Sequence, residues 1–144
     1  MILYLDTSAL VKLYVEEPLS QELTVAVTEA EAVATSLIAY TESRAAFARA
    51  RREARLSLPV YRRIVETFVE DWPRYISVAV TDRLVKNAGD LAAKRGLRGY
   101  DALHLASALS LWQQVTIPVT FLAFDQALSL AAKREALYLH PLGA

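Results

Sequence analysis

The 144-residue chain has no cysteine, four glycines, five prolines and only two histidines. Without cysteine there is no disulfide, no thiolate zinc site and no thiol nucleophile, and the absence suits a reducing cytosol. Neither His104 nor His140 has a second ligand at metal-site spacing, and His140 beside Pro141 has no chemical context. The few glycines form no phosphate-cradling loop, which removes nucleotide hydrolysis of the P-loop kind. No apolar run is long enough to cross a bilayer. The first one, Ile2 to Leu5, meets Asp6 where a signal peptide would continue apolar, so a soluble, cytoplasmic protein without membrane contact is expected. Net charge is also missing: 16 basic and 16 acidic residues cancel, leaving no overall field toward nucleic acid or membrane.

Charge is nevertheless sorted along the chain. Up to Glu42 there are seven acids and one base, Lys12; from Arg44 to Arg63 there are seven arginines and one acid, Glu53. The arginine run either tracks a nucleic-acid backbone or forms the outer face of two helices paired with Glu53, Glu66 and Glu70. At 54% hydrophobic residues the chain can bury a sizeable core, and with no linker, repeat or low-complexity tract it reads as one domain over residues 1–144.

Short apolar runs alternate with helical patterns. Strands are expected at Ile2–Leu5, Ala32–Thr35, Ile76–Val80, Pro118–Ala123 and, as a possible fifth, Leu137–Leu139. Thr7 and Ser8 can cap a helix through Tyr14, and Pro18 opens another to about Glu29. Ser36 is the expected cap of a long helix reaching Arg55, and Pro59 begins one that ends near Pro73. Thr81 or Asp82 caps a helix to Arg95 with Gly96 as its stop, Gly99 precedes one to about Gln114, and Asp125 starts the last. This alternation argues an α/β fold with a mostly parallel central sheet of four or five strands. Trp72, Trp112 and most tyrosines are assigned to the core or an interface.

Four acids stand in apolar settings: Asp6, Glu42, Asp101 and Asp125. Asp6 and Asp125 each follow a strand and begin a helix, the place where open α/β sheets bind ligands and where helix N–H groups favour an anion. A plain N-cap is the bland alternative for each of them, and for Asp101. Glu42 shares a helix stripe with Ile38, Ala45 and Ala46, so its carboxylate either pairs with an arginine, Arg49 being two turns on, or meets a cation. Asp101 opens a helix that is apolar nearly all round. Two unit charges about 4 Å apart repel by roughly 4 kcal/mol at an effective dielectric near 20, so converging carboxylates call for a cation. Oxygen-only ligands select Mg²⁺ or Mn²⁺ over zinc. His104, three residues past Asp101, is attractive as a general base but is assigned to core packing or a hydrogen bond behind the acids.

The segments Leu5-Asp6-Thr7-Ser8-Ala9-Leu10, Glu42, Gly99-Tyr100-Asp101-Ala102-Leu103-His104-Leu105-Ala106 and Phe121-Leu122-Ala123-Phe124-Asp125 occur in an order and spacing that resembles the PIN-domain nucleases, in particular the VapC-type toxins of toxin–antitoxin pairs. The resemblance spans essentially the whole chain. It implies a three-layer α/β/α fold and Mg²⁺- or Mn²⁺-dependent endoribonuclease activity by an activated water, leaving a 5′-phosphate and a 3′-hydroxyl. It implies that Asp6, Glu42, Asp101 and Asp125 are the catalytic and metal-holding quartet, with Thr7 or Ser8 as a supporting hydroxyl. Ala123 departs from the pattern, since relatives often carry Thr or Ser there, and this gives Asp125 the lesser part. Lys12 and Arg98 are candidates for substrate phosphate, Arg98 the better placed. The partners implied are RNA, a cognate antitoxin and a second copy in a homodimer.

Other readings meet specific obstacles. An aspartyl-phosphate phosphatase wants an acid two residues after Asp6, where Ser8 stands. A PIN-like binding module without chemistry would have no use for four acids. A PIN nuclease of RNA processing, rather than a toxin, uses the same residues.

Overall fold

The computed structural model describes residues 1–143. Its centre is a sheet of five parallel strands: β1 (Ile2–Leu5), β2 (Ala32–Ser36), β3 (Ile76–Val78), β4 (Val119–Leu122) and β5 (Tyr138–Leu139), in the order β3-β2-β1-β4-β5. Seven α-helices surround it: α1 (Thr7–Lys12), α2 (Ser20–Glu29), α3 (Ala39–Arg52), α4 (Leu58–Asp71), α5 (Asp82–Arg95), α6 (Gly99–Gln114) and α7 (Gln126–Arg134). No helix among the described residues is long and apolar enough to cross a membrane.

The two-residue period of β1 divides the core. Leu3 and Leu5 pack with Leu10, Leu23, Phe47 and Phe68 from α1 to α4, while Ile2 and Tyr4 pack with Leu105, Leu111, Phe121 and Leu128 on the α6 and α7 side. A smaller cluster, Leu84, Ala88, Ala102 and Ala106, joins α5 to α6. The result is three layers, α/β/α, with β1 fully buried on both faces, as its unalternating sequence required. Strand order reverses between β1 and β4, which pair from Ile2↔Val119 to Leu5↔Leu122. That switch point opens a crevice at the carboxyl ends of the two strands.

Several ends differ from the sequence reading for local reasons. Asp6, not Thr7 or Ser8, caps α1: its carboxylate accepts the Ala9 N–H at 3.0 Å. Ser36 belongs to β2 and does not cap α3, whose start at Ile38 has no side-chain cap. The same helix stops at Arg52, short of Arg55, because Ala54 takes a left-handed conformation with φ 58°. Ser57 caps α4 through the Val60 N–H, and a 3-10 turn at Trp72–Arg74 replaces its expected last turn. Strand β3 ends at Val78, two residues early. By contrast α5 and α6 have the expected bounds: Thr81 caps α5, and Gly96 ends it at φ 65°.

Candidate active site

The switch point places Asp6 one residue past β1 and Asp125 three past β4. Glu42 comes from the first turn of α3, and Asp101 is the third residue of α6. All four line one cavity of about 660 Å³, together with Ser8, Arg98, Gly99, Tyr100 and Leu103. The N-cap readings are half right. Asp6 and Asp125 are caps, Asp125 accepting the Leu128 N–H at 2.9 Å, and they face the cavity as well. Asp101 caps nothing, because α6 is preceded by Arg98 without a side-chain bond.

Asp6 is 4% exposed. The Ser8 hydroxyl reaches both of its oxygens, at 2.8 and 2.9 Å. Burial still pushes its carboxyl above the usual range, with Asp101 adding repulsion against the relief from His104, the Ala9 N–H and Ser8. Asp101 is raised in the same way, by burial first and then by the charge of Asp125, against the opposing pull of His104 and Arg98. These two acids are short of positive charge where they stand.

Glu42 behaves differently. Burial would raise it, but hydrogen bonds from His104 and Thr7 outweigh burial and hold it below the usual range. Thr7 Oγ1 donates to Glu42 Oε1 at 2.5 Å, and His104 Nε2 lies 3.0 Å from the same oxygen and 2.9 Å from Thr7 Oγ1. The other ring nitrogen, Nδ1, meets the Tyr4 hydroxyl at 2.9 Å. Tyr4 is itself fixed in the core, stacked on Phe121 with ring centroids 5.5 Å apart, and burial pushes its phenol well up. With the phenol protonated, the facing pairs require a proton on Nε2 toward Glu42 in either charge state of the ring. His104, only 2% exposed, therefore couples the sheet to the acid and has no free nitrogen for a substrate proton.

Two further residues singled out in the sequence have partners elsewhere. The Glu42–Arg49 pair, which the sequence left open as the alternative to a cation, does not form: Arg49 turns to Glu53 at 3.5 Å, its neighbour one helical turn on. Lys12 does not line the cavity: its ammonium binds Glu17 at 3.0 Å and lies 4.9 Å above the centre of the Phe124 ring. In the arginine run, Glu53 also takes Arg55, and no ion pair among the described residues reaches Glu66 or Glu70. None of the run lines the cavity, whereas Arg98 does. Sequence reasoning missed Tyr4. The signal was present, a single hydroxyl in an otherwise aliphatic buried strand, but its partner lies 100 residues away.

The donor set fits a hard divalent cation. It is carboxylate oxygen throughout, and two members carry uncompensated charge. No three acidic or histidine side chains among the described residues already converge on one ion position. Asp6, Glu42 and Asp125 each accept a protein hydrogen bond where they stand.

A three-layer fold of this topology with acids gathered at its switch point defines a class, and the sequence agrees: residues 3–134 match the PIN domain family, to which the chain belongs. Among curated relatives, ribonuclease VapC45 of Mycobacterium tuberculosis (strain CDC 1551 / Oshkosh) is 36% identical over 109 residues, 76% of each chain. Ribonuclease VapC49 of M. tuberculosis (strain ATCC 25618 / H37Rv) matches to the same extent. Among solved structures, VapBC2 from Rickettsia felis, bound to a DNA fragment from their promoter, contains a chain that superposes with a TM-score of 0.62 at 17% identity, covering 97% of this chain and 98% of that one.

Proposed function

We propose that the protein is a metal-dependent endoribonuclease, the toxin of a VapC-type toxin–antitoxin pair. The observation that carries the reading is the cavity in which Asp6, Glu42, Asp101 and Asp125 meet at the carboxyl ends of β1 and β4. Membership in the PIN domain family and the names of the two mycobacterial ribonucleases support it.

The residues take distinct parts. Asp6 and Asp101, raised by burial and by like charge, hold Mg²⁺ or Mn²⁺. Glu42 is aimed by Thr7 and His104, and Ser8 steadies Asp6. Asp125 is exposed and completes the cradle from the far strand. The bound cation supplies charge neutralisation at the scissile phosphate and a water of lowered pKa. Arg98, at the start of α6, faces substrate phosphate. No side chain serves as a nucleophile. The toxin role implies a cytoplasmic protein held inactive by a cognate antitoxin, and a homodimer.

The test is paired. Titration calorimetry with Mn²⁺ should show binding to the wild type that Asp6→Asn and Asp101→Asn weaken. Incubation with total RNA should show cleavage reduced by at least about 100-fold in both, several kcal/mol of transition-state stabilisation. Wild-type rates in both variants at saturating Mn²⁺ overturn the site. Growth arrest on expression, relieved by the product of an adjacent short reading frame, tests the toxin role apart from the chemistry.

A further inference from the structure

Four of the residues that line the cavity are acids, and most of the others are apolar or glycine. Besides the acids, Ser8, Arg98 and Gly99, its wall is the face of α5 that carries Val85, Ala88, Gly89 and Ala92, one helical stripe, together with Leu103 and Tyr100 of α6. Tyr100 is 60% exposed although it directly precedes Asp101. Tyr4, Tyr14, Tyr40 and Tyr75 are all engaged in ring contacts inside the protein. Tyr100 lines the cavity and takes part in no aromatic contact or side-chain hydrogen bond among the described residues, so its ring is uncommitted.

Gly89 adds an independent observation. Glycine weakens a helix interior relative to alanine. A Cβ at Gly89 would meet nothing within 4 Å, and its backbone is ordinary helix, so neither packing nor conformation requires glycine there. The missing side chain keeps the wall of the cavity open.

We propose that this apolar wall is a nucleobase subsite. The base beside the scissile phosphate of single-stranded RNA stacks on Tyr100 and lies against α5 at Gly89 and Ala92, while Arg98 takes the adjoining phosphate. The inference rests on the nuclease reading and adds how the substrate is held. Chemistry favours a nucleotide over an apolar protein segment. An apolar surface with an uncommitted aromatic ring, a guanidinium two residues before it and a carboxylate cluster that takes a cation match the base, phosphate and scissile phosphate of one strand. The volume, about 660 Å³, lies within the roughly 300–1,000 Å³ usual for small-ligand pockets. Stacking on an aromatic side chain is sequence-tolerant and strong enough to set affinity for single strands.

The experiment reads binding rather than cleavage. In an Asp6→Asn background with Mn²⁺, fluorescence anisotropy gives the Kd of a short single-stranded RNA. Adding Tyr100→Ala should raise Kd about tenfold or more, and Tyr100→Phe should leave it near the parent value. Gly89→Leu should weaken binding comparably, and Gly89→Ala should raise the melting temperature while weakening binding less. An abasic nucleotide scanned along the RNA should cost the parent affinity at one position and cost Tyr100→Ala nothing there. Unchanged affinity in Tyr100→Ala, or the same abasic penalty in both proteins, overturns the subsite. So does a result in which the variants bind RNA normally but release a protein partner, which assigns the surface to that partner. Intact RNA after incubation of the wild type with Mn²⁺ overturns the nuclease reading instead, and the stacking measurement stands apart from it.

Discussion

The protein holds two clusters of acids and hydroxyls, one in the aromatic core on one face of the sheet and the other at the carboxyl ends of β1 and β4. In the first, Tyr14 donates to Asp71 at 2.8 Å and shares a hydrogen bond with Tyr75, among Phe47, Phe68 and Trp72. One carboxylate meets phenols that burial keeps protonated, and Arg74 lies 3.9 Å away. In the second, four carboxylates share one cavity, and burial and mutual charge raise Asp6 and Asp101 despite every donor nearby. The same residue types thus serve opposite ends. Where donors match charge, the cluster ties helices together; where they fall short, the acids stay above their usual range.

Substitutions can break that contrast in either cluster. The largest effect is expected from Phe68→Ala, which empties the fully buried ring at the centre of the aromatic cluster. It should cost about 3–5 kcal/mol in urea unfolding, with Mn²⁺ affinity of the folded protein unchanged; a matching loss of affinity would show the clusters to be coupled. Next comes His104→Leu, which unties Glu42 from Tyr4. Calorimetry should show Mn²⁺ affinity down by about 10- to 100-fold, partly restored in His104→Gln, and equal losses in both variants would mean the ring acts by bulk alone.

Tyr14→Phe should cost about 1 kcal/mol in stability and leave RNA cleavage untouched. The smallest effect concerns pH. The folded-state pKa of Asp101 is raised, so its contribution to stability is complete below the unfolded aspartate value, about 3.9, and is lost as pH rises through the folded value. Metal-free Asp101→Asn should therefore melt above wild type at neutral pH, with the gap closing on acidification. Glu42 has the opposite sign: its lowered pKa gives stability above the unfolded glutamate value that acid removes. A gap at Asp101 that widens on acidification would contradict the assignment of uncompensated charge.

Legibility in the sequence followed how local the cause was. Helix α5 could be bounded because Thr81 and Gly96 act on their own backbone. The start of α3 could not, since Ser36 has the chemistry of a cap but is held in β2 by pairing with Val78. Asp6 and Asp125 were readable as acids after strands, and the parallel register of β1 with β4 accounts for their meeting. The partner of Glu42 was hidden for the opposite reason. Arg49 shares its helix, but His104 is 62 residues away and reaches Glu42 only through tertiary packing.

The double duty of Asp6 and Asp125 bears on how an inert form of the protein can be made. Each carboxylate also closes the first turn of a helix, so alanine there removes a proposed metal ligand and a structural bond at one stroke. Asparagine keeps a cap of nearly equal strength. On the proposed roles, Asp6→Asn is therefore the variant to express when a folded but silent protein is wanted, whether for crystals with intact RNA or for capture of a binding partner from cells that the active form would poison.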